Sequence, residues 1–411
     1  MKQNKKKIVL VLILILLLSI IGYCLYQYIR IKTAKIEVTL KSNLNVEFAS
    51  SVKVSDMIQS INGTIIDDYK IDTTKLGTKT VSFHFLNDDG IKVPYEYQIE
   101  IVDTTEPLIW LGNTYTVTKG SNINLTEKIL CGDNYDNNPK CTIEGTYDMN
   151  TAGNYELVFK AVDKNGNQEE QPFTLIVQDP TPVTDKQEEQ PSEPVEPVYT
   201  NFNDVVKKYK NKNTRIGIDL SSFQGDVDFK KLKKAGVEFV MIRVGGTKGI
   251  DTDYFVDTKF KSNIEQANRH GIDAGIYFYS YAASVEDAKQ DAKWVIKQIK
   301  KYDIQLPIAF DWENWKYYND YHLSFFGLTS MAEAFVDEVE KAGYQGMIYS
   351  SKTYLENMWM PLEDNIWLAH YTDQTTYQGS YKMWQMCEDG QVDGVDHLVD
   401  IDILYLGEFQ K

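Results

Sequence analysis

Three apolar runs in the C-terminal half of this 411-residue chain give way to acid. Asp219 follows Ile216-Gly-Ile, Asp311 and Glu313 follow Pro307-Ile-Ala-Phe, and Asp400 and Asp402 stand in Leu-Val-Asp-Ile-Asp-Ile-Leu. On a strand, residues i and i+2 face one side roughly 6.5 to 7 Å apart, so Asp311 and Glu313 point into a common mouth. Two carboxyls so placed repel as anions. One pKa rises, leaving a proton donor beside an ionised partner. Glycoside hydrolysis requires that pairing: an acid protonates the leaving oxygen while a carboxylate supports an oxocarbenium-like centre. Acids also end strands because strand ends meet water, and this accounts for any single position. It accounts poorly for three strand ends together, with tryptophans beside the pair. Six of the seven tryptophans follow residue 201, in keeping with sugar rings packing on aromatic faces, although a core role is the default for any one of them.

Such acids need a frame. From about Asn213, buried strands alternate with helical periods: Ile216-Gly-Ile-Asp-Leu, Phe239-Val-Met-Ile-Arg-Val, Ala274-Gly-Ile-Tyr-Phe-Tyr-Ser, Pro307-Ile-Ala-Phe-Asp-Trp-Glu, Met347-Ile-Tyr-Ser, Ile366-Trp-Leu-Ala-His-Tyr, Met383-Trp-Gln-Met and Val399-Asp-Ile-Asp-Ile-Leu. Helices are expected over Phe229 to Ala235, Phe260 to His270, Val285 to Lys300 and Met331 to Ala342. Eight strands joined largely through helices predict an α/β fold, a parallel (β/α)8-like TIM-type barrel short of helices in its second half. Chemistry in that architecture sits where strands end.

In this order, Gly217-Ile-Asp-Leu-Ser-Ser-Phe-Gln-Gly, Phe239-Val-Met-Ile-Arg, Gly275-Ile-Tyr-Phe-Tyr-Ser-Tyr-Ala, Asp311-Trp-Glu, Gly346-Met-Ile-Tyr-Ser-Ser, Ile366-Trp-Leu-Ala-His-Tyr, Met383-Trp-Gln and Val399-Asp-Ile-Asp resemble the successive strand motifs of glycoside hydrolase family 25. A lone Asp-x-Glu is weak; eight ordered matches over residues 213 to 407 are specific. The resemblance implies a muramidase (lysozyme) that cuts the β-1,4 bond between N-acetylmuramic acid and N-acetylglucosamine in peptidoglycan. It implies Glu313 as acid/base, Asp311 as its partner carboxylate, and Asp219 and Asp400 as further acids of the site. Tyr279, Tyr349, Tyr371, Trp384 and Gln385 fall at its substrate-contacting positions, and it implies no cofactor. Two departures stand out: Phe223 where His is frequent, and Asp402 where Asn is common. Whether Asp311 attacks directly or holds the substrate's own 2-acetamido group stays open. The alternative from another class is a surface protein that grips cell-wall glycan without cutting it.

Upstream, the organisation is that of an exported protein. Residues 1–35 carry seven Lys/Arg and no acid, whereas the whole chain has a net charge of −16. The apolar run 8–29 is long enough to cross a bilayer as a helix, and the lysines before it predict a cytoplasmic N-terminus with an extracellular catalytic domain, a single-pass cell-membrane protein. A cleaved signal peptide and a buried core helix are the competing readings; Tyr23-Cys24 fits a lipoprotein signal poorly. Residues 36–102 and 103–178 read as two copies of an all-β module: a shift of 76 aligns Asp72 with Asp148, Gly77 with Gly153, Phe83 with Phe159 and Gly90 with Gly166. The second copy resembles bacterial immunoglobulin-like surface repeats, whose partner, a cell-wall protein or another, stays unknown. Residues 179–200 form a Pro/Glu-rich linker and 201–411 the barrel. Cys131 and Cys141 bracket a turn-rich loop and are the disulfide candidates in an oxidising exterior. The Asp/Asn-rich stretch between them offers calcium-type oxygens but is read as solvated turns, and no metal site is expected. Acidic residues dominate at 27 to 12 in 36–200 and 32 to 24 in 201–411, which excludes nucleic acid as a partner.

Overall fold

In the computed structural model, residues 2–180, 199–250, 252–362 and 365–407 are described. Positions 181–198 of the expected linker lie outside them. The chain divides into two units, residues 1–104 and 105–411.

The first unit begins with the helix Lys2–Lys32, whose stretch Leu12–Lys32 is long and apolar enough to cross a membrane by length and composition. Its β portion is built on the antiparallel hairpin Gly77–Asn87 with Lys92–Val102. Gly63–Ile65 extends the sheet at one edge and Asn45–Glu47 adds in parallel at the other. Alternate residues of the hairpin, Val81, Phe83, Phe85, Tyr97, Ile99 and Ile101, form the core, as a half-buried sheet demands.

The second unit opens with the same plan. The hairpin Gly153–Val162 with Gln168–Gln178 is flanked by antiparallel Lys140–Glu144 and parallel Thr114–Thr118. Its first strand starts 76 positions after Gly77, at the offset of the internal repeat. A second small sheet pairs Leu108–Trp110 with Leu130–Gly132. Cys131 and Cys141 are joined in a disulfide with Cα atoms 6.7 Å apart.

The remainder is an eight-stranded barrel: β1 (Thr214–Leu220), β2 (Phe239–Gly246), β3 (Asp273–Tyr279), β4 (Ile308–Asp311), β5 (Gly346–Ser351), β6 (Ile366–Ala369), β7 (Met383–Gln391) and β8 (Val399–Tyr405). β1 through β7 are parallel in that order, and β8 closes the ring between β7 and β1. The all-parallel expectation needs correction here. β8 runs antiparallel to both neighbours, because residues 392–398 are too few for the dozen-residue crossover that a parallel return needs. The fold is therefore an eight-stranded barrel and not a complete (β/α)8 TIM barrel. One consequence is that Asp400 stands at the start of its strand, and only the reversed direction brings it to the mouth where β1 and β4 end.

Helices cover the first half: Phe229–Ala235, Phe260–His270, Val285–Ile299 and Phe325–Lys341. Beyond β5 the barrel helix is the short Lys352–Asn357. Period two separates the two sides of each strand. Ile218, Val240, Ile242, Phe278, Phe310 and Leu368 pack outward in the main core, while Phe239, Met241, Met347, Trp367, Met383 and Leu404 fill the interior. Two glycines make that filling possible. A Cβ on Gly217 would lie 2.5 Å from the Phe239 carbonyl oxygen, and one on Gly275 would overlap Met241 Sδ.

Within this unit the β-module is fastened to the barrel. The long helix starts at Phe325, ahead of the expected Met331, because its first amides find carbonyls outside the helix. Phe325 N–H donates to the Asp133 carbonyl (2.8 Å) and Phe326 N–H to that of Asn134 (3.1 Å), while the Ser324 side chain caps Gly327 N–H. These bonds satisfy groups that a helix start leaves open. Asn319 adds a clasp: its Oδ1 accepts from Cys131 N–H and its Nδ2 donates to the Ile129 carbonyl. Gly132 lies so close to Phe325 and Tyr318 that a Cβ there would come within 2.9 Å of both rings.

Candidate active site

The mouth of the barrel holds a cleft of about 210 Å³ lined by Asp219, Asp311, Glu313 and Asp400, with Tyr277, Tyr279, Tyr349, Trp367, Gln385 and Arg243 around them and Phe223 at its rim. Each acid arrives by strand register. Asp311 is the last residue of β4, paired with Tyr279 of β3 and Tyr349 of β5. Trp312 turns outward into the core and donates to the Ala282 carbonyl, so Glu313 returns to the cleft. The Ser280 N–H on the Asp311 carbonyl and the Asn314 amide on the Ser280 carbonyl hold this turn against the end of β3.

Gln385 organises the opposite wall. Its Nε2 donates to Asp219 Oδ2 (2.8 Å) and Asp400 Oδ2 (3.1 Å), while its Oε1 accepts from Tyr349 OH (2.8 Å) and Tyr371 OH (3.1 Å). One buried amide thus uses both ends, aligning two carboxyls with two phenols. One layer deeper, Asp402 is wholly buried. Its Oδ1 accepts from Trp367 Nε1 (2.8 Å) and its Oδ2 has no hydrogen-bond partner among the described residues. Arg243 lies against this site, pairing with buried Asp257 (2.7 Å) and donating to Ser222. That pair ties the loop after β1 to β2.

The electrostatics follow from crowding acids in an apolar barrel. Burial, then the charge of Glu313, lifts Asp311 well above the ordinary carboxylate range, against a smaller pull from Arg243. Glu313 is solvent-exposed by residue yet stands between cleft walls that strip its hydration, and burial followed by Asp400 raises it as well. Asp400 is pushed up to about 6, chiefly by burial. Asp219 is raised further by burial and by Asp400 and Asp402, with Gln385 pulling the other way. Asp402 is raised by burial and then by Asp400. Such a cluster holds its protons to higher pH than free carboxyls do, the condition for a carboxyl to act as a donor beside others.

Residues 218–395 match the family model described as glycosyl hydrolases family 25. This segment is a family 25 glycosyl hydrolase domain. The autolytic lysozyme of Clostridium acetobutylicum is 27% identical over 189 residues, which are 45% of this chain and 54% of that protein; the chain thus spans about half the length of that relative. An uncharacterised Escherichia coli protein, YegX, is 24% identical over 192 residues, 46% of this chain and 68% of its own. Among solved structures, the modular autolysin LytC of Streptococcus pneumoniae in complex with a synthetic peptidoglycan ligand matches at TM-score 0.43 and 24% identity, over 60% of this chain and 56% of that one.

Of the residues expected from sequence, the family 25 domain brings Asp219, Asp311, Glu313, Asp400, Tyr279, Tyr349 and Gln385 to the cleft, and Tyr371 reaches it through its bond to Gln385. Trp384 is a correction. It is 3% exposed, donates its indole N–H to the His370 carbonyl and meets the Tyr209 ring edge-on in the outer core. It neighbours Gln385 on β7, and adjacent strand residues face opposite sides. Sequence reasoning also passed over Arg243 and Trp367, and leaves Tyr277 ambiguous between sugar packing and core, although each lies inside a quoted strand motif and an even step from an inward residue.

Proposed function

We propose that the chain is a membrane-anchored extracellular muramidase hydrolysing the β-1,4 bond between N-acetylmuramic acid and N-acetylglucosamine in peptidoglycan. The carrying observation is the joint presence in one barrel-mouth cleft of Asp311 and Glu313, both raised by burial and crowding, opposite Asp219 and Asp400. The lysozyme relative supports the substrate class.

In this reading Glu313, open to solvent at the cleft, protonates the leaving glycosidic oxygen and later deprotonates water. Burial and then the charge of Asp400 raise the proton affinity of Glu313, and Asp311, buried beside it, supports positive charge at the sugar centre as an anion. Asp219 and Asp400, aligned by Gln385, add negative potential on the far wall. The tyrosines offer hydroxyls and faces to the sugar, and exposed Phe223, stacked on the Arg243 guanidinium at 5.0 Å, adds an apolar rim. The apolar helix Leu12–Lys32 serves as the anchor, with the N-terminus cytoplasmic, and the two β-modules, read as immunoglobulin-like, act as spacers.

The test is dye release from labelled peptidoglycan by the full-length protein in detergent, with Glu313→Gln as comparison. Removing a general acid costs about 10²- to 10⁴-fold in rate, so the variant should lose nearly all release while still pelleting with wall fragments. Wild-type protein that pellets with walls but releases no dye would overturn the enzyme and leave a glycan-binding protein.

A further inference from the structure

The loops of the second β-module hold buried oxygens that no donor satisfies. Asp133 is fully buried and Asn134 is 5% exposed. Asp133 Oδ2 and Asn134 Oδ1 both lack a hydrogen-bond partner among the described residues. A carboxylate oxygen of Asp133 lies within 4.8 Å of one of Asp163, itself 6% exposed.

Both carboxyls are fixed in place by hydrogen bonds from their own loops. Asp133 Oδ1 accepts from the N–H groups of Tyr135 and Asp136. Asp163 Oδ1 accepts from those of Asn165 and Asn167 (2.9 and 2.8 Å), and its Oδ2 from the Asn167 side chain (2.7 Å). Two carboxyls this close and out of water need a cation or a proton between them, and the unpartnered Asp133 Oδ2 leaves room for the cation. Lys164 does not serve: its ammonium sits 3.8 Å above the Tyr135 ring and 4.0 Å from Asp136.

We propose that Asp133 and Asp163 supply carboxylate ligands to a calcium ion in the second β-module. The donor set is oxygen only, which fits a hard cation taking six to eight oxygens and not zinc, and loop-borne ligands suit calcium's tolerance of irregular geometry. The expectation of plain solvated turns fails on burial, since Asp133 has no access to water.

The ion would also bear on how the unit is held together. Asp133 presents its side chain to the ion and its carbonyl to Phe325 N–H, and the Asn134 carbonyl takes Phe326 N–H. Calcium therefore stiffens the loop that caps the long barrel helix, coupling the β-module to the hydrolase. This inference is independent of the muramidase reading.

The experiment uses full-length protein in detergent, stripped with a chelator and titrated with CaCl₂ by calorimetry and thermal melting. One ion should bind with Kd on the order of 10⁻⁵ to 10⁻³ M, the span from sensor to extracellular sites. At saturation the melting temperature should rise by on the order of 5 °C, and Asp163→Asn should remove both binding and shift. No binding heat and no shift in the wild type up to about 10 mM CaCl₂ would overturn the site and leave the pair neutralised by a proton. An equal shift with MgCl₂, or one retained in Asp163→Asn, would overturn the assignment of ion or ligands; the wild-type titration stands even where the variant fails to fold.

Discussion

Replacing Gln385 by leucine tests the far wall of the cleft most sharply, because the substitution keeps bulk while removing four hydrogen bonds at once. Tyr349 and Asp219 are both buried and each loses a partner at 2.8 Å. A buried group left unpaired costs about 1–3 kcal/mol, so the two together predict a stability loss on the order of 2–6 kcal/mol in urea unfolding. The proton effect is separate. Gln385 is the hydrogen bond that lowers Asp219 against burial and the charges of Asp400 and Asp402. A hydrogen bond to a charged group contributes about 1.5–3 kcal/mol. Without it Asp219 should keep its proton to a higher pH. In the proposed mechanism Asp219 supports a positive centre only as an anion, so the acid limb of peptidoglycan hydrolysis should move to higher pH. Initial dye-release rates from about pH 4 to 8 read this directly. An acid limb that stays in place, with stability changed by less than about 0.5 kcal/mol, would refute the organising role of Gln385.

Two further substitutions probe buried acids. Asp402→Asn keeps an acceptor for Trp367 Nε1 but removes a charge that raises Asp219, so the acid limb should move to lower pH, opposite to Gln385→Leu; a shift in the same direction would sink the account. Asp291, on the helix Val285–Ile299 and bonded to Ser280, is raised to about 6 by burial. A carboxyl with a raised folded pKa contributes stability that is present below its unfolded value and lost as pH rises through the folded one. Asp291→Asn should therefore remove about 3 kcal/mol of the stability decline between about pH 4 and 7, measured as urea midpoints, and an unchanged decline would count against it.

The strands and first helices were legible because their signals are local. Phe229–Ala235 opens on Asp228, whose side chain caps Lys231 N–H, and closes on Gly236 in the left-handed region; a capping acid and a terminal glycine are both visible in sequence. Val285–Ile299 likewise opens on Ser284. Phe325–Lys341 carries a local start signal too, the Ser324 cap on Gly327 N–H, but the first two amides of its opening turn bond carbonyls of Asp133 and Asn134, nearly 200 positions upstream in the chain, which no local pattern encodes. The direction of β8 was misjudged for another reason. Apolar content marks a strand but not its sense, and only the length of 392–398 carried that information.

The site shows the same division between period and register. Asp311, Tyr349 and Gln385 were legible as single chemical groups, yet Trp384 was placed in the cleft and Trp367 left out, although both are strand tryptophans in similar runs. Period two states that neighbours face opposite sides but not which side is inside. Pairing supplies the missing fact. Asp311 pairs with Tyr349, Tyr349 with Trp367, Ala369 with Gln385, Gln385 with Asp402 and Asp402 with Gly217. Cross-strand partners share a face, so one acid known to face inward fixes every inward residue around the ring and turns Trp384 outward. Asp402 then falls inside as well, directly beneath Asp219. A single substitution at a position the sequence marked only as unusual thus bears on the proton affinity of the whole cleft.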